Sequence, residues 1–230
     1  MLPTPLPVLY SFRRCPYAMR ARMAIAVSRL QCELREVVLR CKPPELLVAS
    51  TKATVPVLVL PGGAVIEQSR EIMLWALRQS DPEGWLAPQH TAFDAMQALI
   101  DENDSEFKQH LDRYKYPNRY PHEHQDEPSQ FAVCHRAGAG AWLTTLETRL
   151  AGSAWLLGSS ASLADMAILP FIRQFAHTDA AWFTLQPWPN LQQWLQRWES
   201  GALFHQVMEK YPAWISGQSG PVFPALPAVK

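Results

Sequence analysis

Residues 8–27 read Val-Leu-Tyr-Ser-Phe-Arg-Arg-Cys-Pro-Tyr-Ala-Met-Arg-Ala-Arg-Met-Ala-Ile-Ala-Val, and this stretch decides the expected fold. Its first five residues are β-prone, which predicts a short strand. Pro16 is suited to the first turn of a helix, and the apolar residues after it recur at helical spacing. We therefore predict a strand that leads directly into a helix beginning near Cys15 and Pro16.

The rest of residues 1–80 continues this alternation of strands and helices. Residues 33–39 are β-like, and the proline-led residues 43–48 can open a short helix. Residues 55–66, with Pro-Gly-Gly at 61–63, have the pattern of a hairpin. Residues 69–79 have helical spacing, with Ser69 available as the N-cap. The order β-α-β-α-β-β-α predicts an α/β domain built around one small sheet.

From residue 81 onward the pattern becomes helical. Residues 81–91 are linker-like, and residues 92–211 contain four stretches with helical spacing, at 92–110, 131–150, 163–177 and 191–209. Ser162-Leu-Ala-Asp165 has the pattern of a capping box, and Pro170 is expected to kink the helix that follows it. Residues 212–230 are proline-rich and are predicted to form an irregular tail on the surface.

Composition excludes several classes of protein. The 21 Lys+Arg balance the 21 Asp+Glu, so no nucleic acid or anionic membrane surface is expected as partner. Apolar residues make up 48% of the chain and charged residues 18%, which indicates a globular protein. No apolar run approaches a membrane span, and the N-terminus lacks the pattern of a signal peptide. The 4 cysteines are too few for a disulfide scaffold, so a reducing compartment, the cytoplasm, is expected.

Cys15 is the candidate nucleophile. A thiol at a helix start lies close to unpaired backbone N–H groups and to the positive end of the helix dipole, and both favour the reactive thiolate. Arg13 and Arg14 add positive charge nearby. The fourth residue of the motif is Ala18, so this cysteine has no resolving partner within it and needs an external thiol for a redox cycle. The position alone is equally compatible with a buried structural cysteine.

Two other clusters are interpreted as unrelated to catalysis. His122-Glu-His124, together with Asp126 and Glu127, lies in a polar loop without a regular frame and is interpreted as a solvated charge run, so no metal is expected. Residues 114–120 mix basic and aromatic side chains, as single-strand nucleic-acid binders do. In a chain without net charge they are better interpreted as a loop near a substrate cleft.

Taken together, the motifs resemble those of the cytosolic glutathione S-transferases. Cys15-Pro-Tyr-Ala18, Thr54-Val-Pro-Val-Leu58 and Gln68-Ser-Arg-Glu-Ile72 follow in the order seen in the thioredoxin-like domain of that family, and the helical half is similar to its C-terminal domain. The resemblance covers residues 6–210. The cysteine, in place of tyrosine or serine, is similar to the omega-like and related bacterial cysteine-type members. The implied fold is a thioredoxin-like N-terminal domain (1–80) and an all-α acceptor-substrate domain (92–211).

The resemblance also implies which residues bind glutathione. Val55 precedes a proline that is cis in the family and pairs through its backbone with the cysteinyl part of glutathione; a trans proline at a strand start is the alternative. Ser69 holds the γ-glutamyl end or only caps its helix, and either Gln68 or Glu67 contacts the substrate ammonium. Lys42 precedes Val55 at the spacing where omega-like members have a lysine that contacts the glycyl carboxylate of glutathione. The alternative is that Lys42 is an exposed, solvated charge. The full implied set is Phe12, Tyr17, Lys42, Val55, Pro56, Gln68 and Ser69.

The implied activity is glutathione-dependent thiol transfer through a Cys15–glutathione mixed disulfide. Conjugation of glutathione to small electrophiles is an alternative, and a non-catalytic member that binds glutathione or a protein is an alternative of another class. The resemblance further implies a homodimer, glutathione as co-substrate, and a small electrophile or disulfide as acceptor, with residues 98–116 walling the acceptor site.

Overall fold

The computed structural model describes residues 5–87, 93–124 and 127–225. The predictions for residues 88–92, for Asp126 and for residues 226–230 therefore lie outside the described residues. The chain forms two compact units, Met1–Glu83 with Ser200–Lys230, and Gly84–Glu199. The sequence predicts residues 200–211 as part of the helical domain, whereas in the structure they pack with the first unit.

The first unit is built around a five-stranded sheet with the order β4-β3-β1-β2-β5. Its strands are β1 (Val8–Ser11), β2 (Cys32–Glu36), β3 (Val57–Val59), β4 (Val65–Ile66) and β5 (Val222–Phe223). β1 and β2 are parallel, and the pairs β1–β3, β3–β4 and β2–β5 are antiparallel. The helices are α1 (Pro16–Val27), α2 (Pro44–Ala49), α3 (Ser69–Gln79) and, near the C-terminal end, α10 (Ala202–Val207). The predicted order β-α-β-α-β-β-α is confirmed.

Alternation along β1 separates two apolar layers. Leu9 pairs in register with Leu34 on one side and Leu58 on the other, and all three are buried on the same face of the sheet. The next residue, Tyr10, belongs to the opposite face, where it clusters with Val37, Val57 and Leu46 of α2. The sheet is therefore buried on both faces. This packing fixes the position of β1 and β2, and with them the start of the loop that follows β1.

The second unit is helical throughout its named elements. They are α4 (Phe93–Glu102), a π-helical segment (Asn103–Phe107), α5 (Lys108–Lys115), α6 (Pro128–Leu150), α7 (Leu163–Ala176), α8 (Ala180–Thr184) and α9 (Pro189–Glu199). Two short 3-10 helices, Pro117–Arg119 and Pro121–Glu123, lie in the polar segment that the sequence predicts to have no regular frame. The predicted stretch 191–209 is divided into α9 and α10, with Gly201 as the N-cap of α10. Helix α7 runs through Pro170. Among the described residues, no helix is both long and apolar enough to cross a membrane.

The described part of the proline-rich tail is largely irregular and exposed, as the sequence predicts, but it also contains a short strand. It supplies β5, which pairs with β2 and buries Phe223 completely. Gly220 makes this close approach possible, because a Cβ at this position would lie 2.2 Å from the carbonyl oxygen of Leu34. Further back, the N–H of Trp214 donates to the carbonyl of Glu36 at 2.9 Å. The sequence does not predict β5, because an edge strand of two residues has no periodicity to detect.

Candidate functional site

Cys15 lies at the junction of β1 and α1, where the sequence places it. It is the N-cap of α1, Pro16 occupies the first helical turn, and the Cys15 side chain is half-buried. The Cys15 N–H donates to the carbonyl of Phe12 at 3.0 Å, which closes a tight turn before the helix. The thiol is thus attached at the end of α1 where the helix dipole is positive and favours an anion.

The loop before β3 reaches this thiol. Cys15 Sγ lies 3.7 Å from the carbonyl oxygen of Val55, to which it donates a hydrogen bond. The Val55–Pro56 peptide bond is cis, as the resemblance implies, and Pro56 is buried. Two segments that are separated by 40 residues in the sequence therefore meet at the sulfur atom.

The structure corrects the prediction that Ser69 is the N-cap of α3. Gln68 is the N-cap of α3 and makes no side-chain cap hydrogen bond, whereas Ser69 is the first residue of the helix. Ser69 is buried and Gln68 is exposed. Gln68 has the extended backbone angles of an N-cap residue, and its carbonyl accepts from the N–H of Ile72 at 3.0 Å. Ser69 thus contributes a hydroxyl and a backbone N–H at a helix N-terminus, where anions are favoured.

The carboxylate of Glu67 already has two partners within the first unit. One of its carboxylate oxygens accepts a hydrogen bond from Ser50 Oγ at 2.5 Å, and the other lies 3.6 Å from Lys52 Nζ. The Ser50 hydrogen bond lowers the pKa of Glu67, and the charge of Lys52 adds to this effect. Of the two candidates for the ammonium contact, Gln68 is the one with an exposed side chain.

The remaining predicted residues differ in exposure. Lys42 is exposed and lies just before α2. Phe12 and Tyr17 are half-buried on either side of Cys15 in the sequence. Arg14 stacks over the Phe12 ring at 5.4 Å, and Arg20 stacks over the Tyr17 ring at the same distance. Both aromatic rings are thus held close to positive charge.

All four cysteines are free, but their environments differ. Cys32 lies in β2 and is 1% exposed, and its burial raises the pKa of its thiol well above the usual range. Cys41 and Cys134 are exposed. Cys15 therefore combines a helix N-terminus with partial access to solvent, which is the combination expected of a reactive thiol.

A buried arginine, which the sequence patterns did not single out, contacts the loop that carries Cys15. Arg22 of α1 is 1% exposed and donates to the carbonyl of Arg13 at 2.6 Å and to Ser11 Oγ. Glu36, at the end of β2, accepts from the N–H of Arg13 at 2.8 Å, and burial raises the pKa of Glu36. One signal was available in the sequence: Arg22, together with Arg20, interrupts the apolar pattern of α1.

In the second unit, the capping box predicted at Ser162 is confirmed. Ser162 Oγ accepts from the N–H of Asp165, and Asp165 accepts from the N–H of Ser162 at 2.9 Å. Both side chains are completely buried, which indicates a structural role. Within the described ranges, no group of three or more His, Cys, Asp and Glu residues could hold a metal ion. The ring nitrogen Nε2 of His124 instead faces the carbonyl of Pro117 at 3.2 Å.

Comparisons with known proteins concern the family and the fold of the chain. The family model "Glutathione S-transferase, N-terminal domain" matches residues 9–84, and the model "Glutathione S-transferase, C-terminal domain" matches residues 83–197. A curated relative, elongation factor 1-gamma 3 of Oryza sativa subsp. japonica, is 25% identical over 164 residues, which covers 66% of this chain. The chain spans only 38% of the length of that relative.

Solved structures show the same fold. A glutathione S-transferase from Rhodospirillum rubrum F11 superposes with a TM-score of 0.73 at 21% identity, covering 94% of this chain and 96% of the other. A glutathione transferase family member from Pseudomonas fluorescens Pf-5, solved with two glutathione molecules bound, superposes with a TM-score of 0.76 at 18% identity, covering 91% and 95%. The predicted fold, a thioredoxin-like N-terminal domain followed by a helical C-terminal domain, is thereby confirmed.

Proposed function

Because the chain belongs to the glutathione S-transferase family, we propose that it binds glutathione and acts as a cysteine-type thiol transferase, with Cys15 as the nucleophile. The observation that carries the proposal is the thiol at the N-cap of α1, half-buried and within 3.7 Å of the Val55 carbonyl. A Pseudomonas fluorescens structure of the same fold contains bound glutathione, which supports glutathione as the co-substrate.

The reaction needs two exchanges at Cys15. The thiolate attacks the glutathione sulfur of a mixed disulfide, forms a new S–S bond to glutathione, and releases the other thiol as a thiolate that takes a proton from water. A second glutathione thiolate then attacks the protein-bound glutathione sulfur, which releases oxidised glutathione and restores Cys15. Ala18 cannot perform this second attack, so the external thiol is required.

The proposed binding residues are those that the resemblance to the family implies. The backbone of Val55, before Pro56, pairs with the cysteinyl part, and Ser69 with the N-terminus of α3 receives the γ-glutamyl carboxylate. Gln68 contacts the ammonium group, and Lys42 contacts the glycyl carboxylate. Phe12 and Tyr17 complete the set. We further propose that the protein is a cytoplasmic homodimer and that residues 98–116 of the helical domain recognise the acceptor.

Replacement of Cys15 provides the direct test. Cys15→Ala is expected to abolish thiol transfer from a small glutathione mixed disulfide, because neither exposed cysteine, Cys41 or Cys134, is a helix N-cap in the described structure. Cys134→Ser, which changes an exposed cysteine of α6, serves as the matched control and is expected to retain wild-type turnover. Undiminished turnover by Cys15→Ala would refute the proposal. Mass spectrometry of protein incubated with oxidised glutathione is expected to map a single adduct to Cys15.

An aromatic halide assayed in parallel separates thiol transfer from conjugation. In conjugation glutathione itself is the attacking thiolate, so Cys15→Ala would retain activity toward the halide while losing activity toward the disulfide. Faster turnover of the halide than of the disulfide by the wild-type protein would favour conjugation as the main activity.

A non-catalytic role is the second candidate, and the match to a protein named as an elongation factor favours it. Retention on immobilised glutathione without turnover of either the disulfide or the halide would support this role over the thiol transferase.

A further inference from the structure

The side chain of Arg22 is built into the base of the Cys15 loop. Its Nη1 donates to Ser11 Oγ, its Nη2 to the carbonyl of Arg13 at 2.6 Å, and its Nε to the carbonyl of Val207 at 2.9 Å. Arginine is almost never fully buried unless its charge and its donors are satisfied. Here a single guanidinium joins the end of β1, the loop before Cys15 and the end of α10.

Helical geometry directs the Arg22 side chain toward Cys15. Cys15 and Arg22 are seven positions apart, which corresponds to about two turns and ~10 Å along the axis of α1, on nearly the same face. Side chains on a helix lean toward its N-terminus, so the long arginine side chain extends toward Cys15. The hydrogen bond to the carbonyl of Arg13, two residues before Cys15, agrees with this direction.

The charged groups that face Arg22 come from several elements. Glu36 at the end of β2 and the Cys15 thiolate favour its charge, as does Tyr211 after α10, whereas Arg13 opposes it. Burial, the largest effect, lowers the pKa of Arg22 to about 10, so the guanidinium stays protonated at neutral pH. A positive charge in a buried site is screened less by salt than the charge of an exposed residue such as Arg14.

We propose that Arg22 is a positioning residue for the Cys15 chemistry: its guanidinium holds the loop from Ser11 to Arg13 in place and stabilises the Cys15 thiolate through its buried charge. The proposal rests on the proposed function, because it concerns the same thiol. Lysine could supply the charge but not donors on three separate nitrogen atoms in a planar group, so charge and geometry can be separated by substitution.

The test measures ionisation of Cys15 without glutathione or substrate. The rate of alkylation of Cys15 by iodoacetamide is followed against pH, with adducts located by peptide mass spectrometry. Arg22→Met is expected to raise the pH midpoint by about one unit or more, which is a roughly tenfold change in the thiolate equilibrium. Arg22→Lys is expected to give a smaller rise. Arg40→Met, which removes an exposed arginine from the same unit, is expected to leave the midpoint unchanged.

Glu36→Gln keeps a hydrogen-bond acceptor for the Arg13 N–H but removes the negative charge that offsets Arg22, so it is expected to lower the midpoint. If circular dichroism shows that Arg22→Met does not fold, the midpoint measured for Glu36→Gln alone tests the proposal. An unchanged midpoint in folded Arg22→Met, or in Glu36→Gln where the former does not fold, would overturn the proposal. Failure of the proposed function itself would be recognised by a different result, namely unimpaired thiol transfer by Cys15→Ala.

Discussion

Replacing Asp165 at the start of α7 by alanine is expected to destabilise the helical unit strongly and to leave Cys15 unaffected. The carboxylate is completely buried and accepts from the N–H groups of Leu156 and Ser162, each at 2.9 Å. It also accepts from Ser162 Oγ at 2.5 Å and from Trp194 Nε1 at 3.0 Å. Asp165 therefore joins the N-terminus of α7 to the preceding loop and to α9.

The magnitude follows from the donors that alanine would leave unpaired. Each buried N–H without an acceptor costs about 1–3 kcal/mol, and three such groups would remain on Leu156, Ser162 and Trp194. Burial of the carboxylate raises the pKa of Asp165, so removing the charge relieves a desolvation cost that offsets part of this loss. We expect a net destabilisation of about 3–5 kcal/mol. Asp165→Asn, which keeps one acceptor oxygen, is expected to cost roughly half as much.

Equilibrium unfolding in urea, followed by tryptophan fluorescence, measures these differences, since Trp194 contacts the substituted group directly. Ser162→Ala combined with Asp165→Ala is expected to cost clearly less than the sum of the two single changes, because both act on one network. The rate of Cys15 alkylation in the native protein serves as the control and should not change. A destabilisation by Asp165→Ala below about 1 kcal/mol would refute the assignment of these hydrogen bonds.

Three further expectations concern other parts of the chain. Gly220→Ala is expected to destabilise the protein by about 1–3 kcal/mol and to speed hydrogen exchange in β2, because its Cβ would clash with a backbone carbonyl, whereas Gly62→Ala, with open space around it, should be neutral. Burial is the larger cause and the charge of the neighbouring His110 the second cause of a lowered pKa for His135. As the pH drops below about 6.5, His135 is therefore protonated more readily in the unfolded state than in the folded state, and the stability of the fold decreases. The decrease in melting temperature between about pH 7 and pH 5 should thus be smaller for His135→Gln than for wild type, and unchanged for the exposed His122→Gln. Cys32 is expected to resist iodoacetamide until the protein unfolds, since it is buried and its pKa is raised; modification at the native rate of Cys134 would contradict this.

Local signals explain why much of the fold could be predicted. Pro16 and the apolar spacing after it predict α1 without reference to the rest of the chain, and Ser162 with Asp165 marks the start of α7 in the same way. The resemblance added the cis bond at Val55, which the structure also has. These features depend on residues close together in the sequence, so short patterns are sufficient to find them.

The helix start at Ser69 shows where local reasoning fails. Serine is a preferred N-cap residue, but the backbone of Gln68 occupies that position and Ser69 becomes the first helical residue. A shift of one residue changes which side chain is exposed, and therefore which of them can face a ligand. The backbone conformation of Gln68 decides where the helix begins, and no pattern within α3 records that conformation.

The sequence by itself determined the strand-to-helix junction at Cys15, the order of elements and the helical second half, because helix periods and caps act over a few residues. Only the tertiary structure decided what lies around the thiol. Arg22, Glu36 and the end of α10 meet near Cys15 through contacts that span up to 185 residues. It likewise decided that the tail pairs with β2. Burial of a charge and completion of a sheet edge are properties of the packed molecule, and they are energetically favourable only when distant segments supply the partners.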